Sequence, residues 1–104
     1  GIITRVNGRR VLMGIREEIE EQYDDNLMLF ADGFDEAIIG VSIGFTSRVV
    51  YDAQAMADIL VKDDDNADYP SAWEYLDFNT FNAYVGEHTP IYVNLKKDYV
   101  ITTD

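Results

Sequence analysis

The chain has 104 residues, 47% of them hydrophobic and 12% aromatic, with twenty acidic against eight basic side chains and a formal net charge of −12 at pH 7. That length and apolar content fit one folded domain over residues 1–104 and exclude a disordered chain. The absence of Cys removes disulfides, a thiol nucleophile and thiolate metal sites, the absence of an apolar run near 20 residues argues against a membrane span, and the acidity repels phosphate backbones and argues against direct nucleic-acid binding.

Two meanings of the acidity stay open. Surface charge confers solubility, or the acidic surface imitates a nucleic acid and occupies a basic groove on another protein. Four of the eight bases lie early, at Arg5, Arg9, Arg10 and Arg16, so the remainder is more acidic still.

Ile2–Met13 has a hairpin signal, because Asn7-Gly8 supplies the two positive-φ positions of a type I′ turn between β-prone flanks. The period then changes. Ile15, Ile19 and Tyr23 recur every four residues, predicting a helix with its Glu residues facing water. Asp24-Asp25-Asn26 ends it. The stretch "LMLFADGFDEAIIGVSIG" predicts two strands around an Asp32-Gly33 turn, and the nearly continuous apolar run Ala37–Ile43 predicts a central strand covered on both faces. Gly44–Ser47 is the next turn, and "RVVYD" a short strand antiparallel to its predecessor because the link is short.

The clearest helix follows. Asp52 suits its N-cap, and Ala53, Met56, Ala57, Leu60 and Val61 give the core-facing stripe. Asp58 and Lys62 form an outward i, i+4 pair. After the acidic loop Asp63–Asp68, residues 69–86 predict a second long helix, with Pro70 in its first turn and Ser71-x-x-Glu74 as a capping box. Its aromatics point in several directions, which predicts the most enclosed helix of the fold. Gly86 then falls where a helix needs a left-handed C-cap, and Pro90 where a helix cannot continue. "PIYVNL" and "DYVITT" predict closing strands. Together these elements predict an α+β fold, a mainly antiparallel sheet with two or three helices packed on it.

Candidate sites are few. The loop starting at Asp63 matches an EF-hand at Asp65 and Glu74, but Ala67 stands where a ligand is needed and Asp68 where the turn needs Gly, so no metal is expected there. Asp32, Asp35 and Glu36 place three carboxylates at a turn, where they could do acid–base or cation-binding work or serve only the turn. His88 is the single His; neighbours in sequence need not face each other, and no convincing nucleophile pairs with it. Glu87 and Thr89 flank it as corner-capping groups or as ligands. Asn79 and Asn82 share a helical face and either cap backbone or floor a pocket. No phosphate-binding, dinucleotide or nucleophile-elbow motif occurs. The binding candidates are therefore Asp32, Asp35, Glu36, Asn79, Asn82, Glu87, His88 and Thr89, with no catalytic residue, metal ligand or cofactor assigned.

From about residue 17 to 93 the chain resembles a family of small acidic bacteriophage proteins of uncharacterised function. The resemblance is carried by "DGFDEAIIGV", by "VVYD" leading into a helix, by the acidic loop, and by "EYLDFNTFNAYVGEHTP". Phe78-Asn79 and Ala83–Pro90 match the family's F-N-x-x-x-A-[YW]-x-G-E-x-T-P ending. The hairpin and the tail lie outside it. The resemblance implies a phage origin, including marine phage, and expression in the host bacterial cytoplasm. It makes Asp32, Gly33, Asn79, Gly86, Glu87 and Thr89 pattern positions and leaves His88 variable, and it transfers no activity, substrate or cofactor. Two functions follow as expectations: a non-enzymatic accessory protein that binds a host or phage protein, or a small-molecule or nucleotide-metabolite binding protein or enzyme using the "DGFDE" and "GEHTP" segments.

Overall fold

A computed structural model describes residues 2–6, 9–23 and 28–95. The expected Asn7-Gly8 turn, the helix end at Asp24–Asn26 and the strand in "DYVITT" lie outside those residues.

β1 (Ile2–Val6) and β2 (Arg9–Met13) pair antiparallel as a two-stranded sheet, with Ile2 opposite Met13 and Arg5 opposite Arg10. α1 (Ile15–Gln22) follows, with Ile19 buried and Ile15 half-buried. Tyr23 lies one residue past the helix in extended backbone and is exposed, so the apolar stripe is shorter than its spacing predicts.

The second sheet has three strands in the order β3 (Ile38–Val41), β4 (Val49–Asp52), β5 (Ile91–Val93). β3 and β4 are antiparallel, as the short link dictates, while β4 and β5 are parallel. That parallel pair is possible because α2 (Ala53–Asp63) and α3 (Tyr69–Leu76) provide the crossover it requires. The architecture is α+β.

The central strand is β4, not the run Ala37–Ile43. β4 buries Val49, Tyr51 and Asp52. β3 is an edge strand among the described residues, irregular between Ile38 and Gly40, and its Ile39 is exposed. The apolar run is nearly continuous without being covered on both faces. No strand precedes Asp32 in the described stretch 28–31, and Asp35–Ala37 form a single 3-10 turn before β3.

α2 matches its sequence signals. The Asp52 carboxylate accepts the Gln54 and Ala55 N–H groups at 3.0 and 3.3 Å. Ala53, Met56 and Ala57 are buried, with Leu60 and Val61 packed beside them. Asp58 accepts hydrogen bonds from Gln54 at 3.1 Å and Tyr69 at 2.8 Å in place of the expected pair with Lys62. The Asp58 contact raises the Tyr69 phenol above its usual range.

α3 departs from expectation in three ways. Its cap is Asp68, which accepts the Ser71 N–H at 2.9 Å, so Ser71 sits inside the helix rather than capping it. Hydrogen bonds from Ser71 hold the Asp68 carboxyl below its usual range. Its α-helical part stops at Leu76 and loosens into a π-type turn over Asp77–Phe81. The Asn side chains supply the reason: Asn79 Nδ2 donates back to the Tyr75 carbonyl and Asn82 Nδ2 to the Asp77 carbonyl, each at 2.9 Å, in competition with the helical ladder. Nor is the segment enclosed. Ala72 and Leu76 are buried, while Tyr75, Phe78 and Tyr84 face outward.

The core gathers Val49, Tyr51, Met56 and Leu76, all fully buried, with Ile19, Phe34 and Ile38 around them. A chain of aromatic contacts extends it under β5: Tyr51 to Tyr92 at 5.7 Å, Tyr92 to Phe81 at 5.1 Å and Phe81 to Trp73 at 5.9 Å between ring centroids. Burial pushes the Tyr51 phenol up to about 12 even though the Ala31 N–H donates to its oxygen at 2.7 Å. Desolvation also raises Tyr92. No helix among the described residues is long and apolar enough to cross a membrane.

Candidate functional site

The expected site residues fall into separate groups. Asp32 and Asp35 converge on Arg16, whose Nη1 reaches them at 3.2 and 3.4 Å, and Arg16 Nε meets Glu20 at 3.2 Å. The guanidinium also lies over the Phe30 ring, 4.5 Å from its centroid. Burial works against the Arg16 charge, but its hydrogen bonds to Asp32 and Glu20 and the field of Asp35 outweigh it and hold the group above its usual range. The turn carboxylates are thereby committed to fastening α1 to the start of β3. Glu36 is exposed and lines a shallow cleft of about 240 Å³ with Gly33, Asp35, Ile59, Lys62 and Asp63.

Asn79 and Asn82 are exposed and spend their amide groups on backbone; Asn82 also bonds the Asp77 carboxylate at 2.9 Å. They cap local backbone.

The "GEHTP" segment is a fastened corner. Gly86 has φ +126°, a conformation that side chains with a Cβ rarely adopt, so the expected positive φ is present. It serves a turn rather than a helix end, because the helix has already finished. Buried Thr89 closes that turn: its hydroxyl donates to the Gly86 carbonyl at 2.6 Å and accepts the Val85 N–H at 2.9 Å. Glu87 is exposed, so the capping falls to Thr89 alone. His88 is half-buried and does have an orienting partner, since its Nδ1 lies 2.8 Å from the Ser47 carbonyl. A carbonyl only accepts, so Nδ1 carries the proton. Arg48 Nε donates to the Thr89 carbonyl.

These contacts fasten the corner to the β3–β4 loop, which is itself closed. The Ser42 N–H donates to the Arg48 carbonyl at 2.8 Å, and the Arg48 N–H donates to Ser42 Oγ at 2.9 Å. At the tip of this clamped loop Ile43 and Phe45 are fully exposed. Across the fastening, Tyr84 and Val85 are exposed as well, and Phe78 is 83% exposed.

"DGFDE" and "GEHTP" therefore lie at opposite ends of β3, one before its first residue and the other bonded to the loop after its last, and they do not share a pocket. Among the described residues no cluster of three or more His, Asp or Glu could hold a metal ion. A cleft of about 490 Å³ under β5 is lined by Arg48, Trp73, Phe81 and Tyr92.

What the motifs missed is the exposed apolar set Ile43, Phe45, Phe78, Tyr84 and Val85. One sequence signal did mark it. Residues 37–47 and 78–86 are the two longest runs without Asp, Glu, Lys or Arg, and they contain all five residues. Comparison of the chain with protein-family models, with curated proteins and with solved structures finds no match.

Proposed function

We propose that this chain is a non-enzymatic protein-binding module, an accessory protein of the phage type that its sequence pattern resembles, acting on a host or phage protein in the bacterial cytoplasm. The observation that carries this reading is the pair Ile43 and Phe45, fully exposed at the tip of a loop that Ser42, Arg48, His88 and Thr89 hold shut. Large apolar side chains held out by a clamped loop serve no purpose in folding. Burying each against a partner would contribute roughly 1.5–3 kcal/mol. The clamps lower the ordering cost that a slack loop would impose on binding. The acidic remainder of the surface suits a protein partner better than a nucleic acid.

The test is affinity capture from a bacterial host extract with the wild-type chain and with an Ile43→Ser/Phe45→Ser variant. A stoichiometric protein retained by the first and lost by the second, at equal melting temperature, is the expected outcome. A partner held equally by both chains, or a metabolite that co-purifies in place of a protein, would overturn the reading.

A further inference from the structure

We propose that the cleft under β5 is a binding site for a small planar aromatic anion, a ring that carries a carboxylate or phosphate group. The site uses none of the exposed residues of the Ile43–Phe45 loop and is additional to the protein-binding surface.

The cation is the first observation. Between residues 17 and 95, Arg48 and Lys62 are the only bases in a chain with twenty acids. A partly buried guanidinium loses hydration, and a carboxylate is its usual compensation. Arg48 is partly buried and forms no ion pair among the described residues. Its Nε is committed to the Thr89 carbonyl, which pins the group and leaves the two terminal nitrogens. Those nitrogens offer parallel N–H groups that match two oxygens of a carboxylate or phosphate.

The surroundings of Arg48 select the rest of the ligand. The cleft measures about 490 Å³, within the roughly 300–1,000 Å³ of small-molecule sites. Its lining includes Arg48, Trp73, Phe81, Tyr92 and Asn94 and no acidic side chain. The three rings brace one another, Tyr92 to Phe81 at 5.1 Å and Phe81 to Trp73 at 5.9 Å between centroids, so the apolar wall is formed before a ligand arrives. A flat ring can lie against that wall while its charge meets Arg48. Inorganic phosphate or a short aliphatic acid would leave the wall bare, and a neutral ring would leave the guanidinium unmatched. The net charge of −12 does not forbid an anion here, because screening confines the field of distant acids to about 8 Å at physiological salt.

Trp73 is the only Trp of the chain, so its fluorescence reports on the cleft. The experiment titrates the full chain with phenylacetate and with adenosine 5′-monophosphate, followed by Trp fluorescence and by calorimetry. The expected result is saturable binding of at least one of them, with a dissociation constant of about 1 mM or below. Binding of phenylacetate alone would assign a carboxylate ligand, and binding of the nucleotide alone a phosphate ligand. Phenylacetamide and adenosine, the neutral counterparts, should bind about tenfold more weakly, as loss of a hydrogen bond between charged groups predicts. Arg48→Gln should weaken the anion by a similar factor. Because Arg48 also fastens Thr89, a second variant leaves that bond intact. Asn94→Asp, at an exposed position, places a like charge in the lining and should weaken binding several-fold, whereas Asn94→Lys should strengthen it. Circular dichroism checks that each variant is folded. Neither probe binding saturably up to about 10 mM, equal affinity for the charged and neutral rings, or an affinity that Asn94→Asp leaves unchanged would each overturn the proposal.

Discussion

Replacing Thr89 by Val tests the corner that fastens the exposed loop. Val keeps the shape of Thr but removes the hydroxyl, and with it the 2.6 Å bond to the Gly86 carbonyl and the 2.9 Å bond from the Val85 N–H. The Gly86 carbonyl retains the Thr89 N–H at 3.1 Å, so it keeps one donor. The Val85 N–H loses its side-chain acceptor, but Val85 is exposed and water can reach part of that group. One hydrogen bond lost outright and one donor left half-satisfied together cost about 2 kcal/mol. With an unfolding entropy near 2.1 cal/mol/K per residue over 104 residues, that corresponds to a fall in melting temperature of about 9 °C. Thermal unfolding by circular dichroism, with a urea titration of unchanged slope, reads it directly. Thr89→Ser retains the hydroxyl and loses only a methyl group, about 0.8 kcal/mol, so it should melt between the wild type and Val. A Val variant that melts within about 2 °C of the wild type, below the shift of even a single lost bond, would show that the hydroxyl does not close this turn.

Three further outcomes follow from individual residues. Gly86→Ala should cost about 1–2 kcal/mol by urea titration through backbone strain alone, since a Cβ there would meet nothing within 4 Å; a neutral Ala would mean that the positive φ is dispensable. Asp52→Ala should cost about 1 kcal/mol by losing the α2 cap and Asp52→Asn should recover most of it, whereas equal losses in both would point away from capping. Because burial pushes the Tyr51 phenol up to about 12 from 10, the folded state keeps a proton that the unfolded chain releases: stability is full below pH 10 and should decline between pH 10 and 12 by about 1.4 kcal/mol per pH unit, and Tyr51→Phe should flatten that decline in pH-dependent urea titrations.

Local signals in the sequence were sufficient for α2, where a side-chain cap and an i, i+3, i+4 stripe are encoded within one short stretch, and for β4, whose antiparallel pairing follows from its short link to β3. They misled where an apolar run was equated with burial. Residues 37–43 are mostly apolar and 78–85 carry Phe78, Phe81, Tyr84 and Val85, but composition does not say on which side of a strand or turn the covering layer lies, and both stretches leave large apolar side chains exposed. The α3 cap was legible in principle: Asp68 precedes Tyr69-Pro70, and Pro belongs in a first turn, which places the cap before it rather than at Ser71. The contacts that define the candidate site were not legible. Arg16 reaches Asp32 and Asp35 sixteen and nineteen residues away, and His88 reaches Ser47 forty-one residues away, separations over which no periodicity operates.

The parallel pairing of β4 with β5 sets an order of assembly. The β3–β4 hairpin spans a short loop, and short loops close fastest. Val50 and Ile91, in register across the parallel pair, are separated by forty-one positions. Closing a flexible loop of that size costs about 3 kcal/mol of chain entropy until α2 and α3 form and shorten it. β5 is therefore the last of the three strands to dock, and His88 and Thr89 arrive with it. Until then the loop that carries Ile43 and Phe45 lacks the two contacts that fasten it from outside. A nascent chain thus holds Ile43 and Phe45 on a loop closed only by the Ser42–Arg48 bonds, and the completed fold alone adds the contacts from His88 and Thr89.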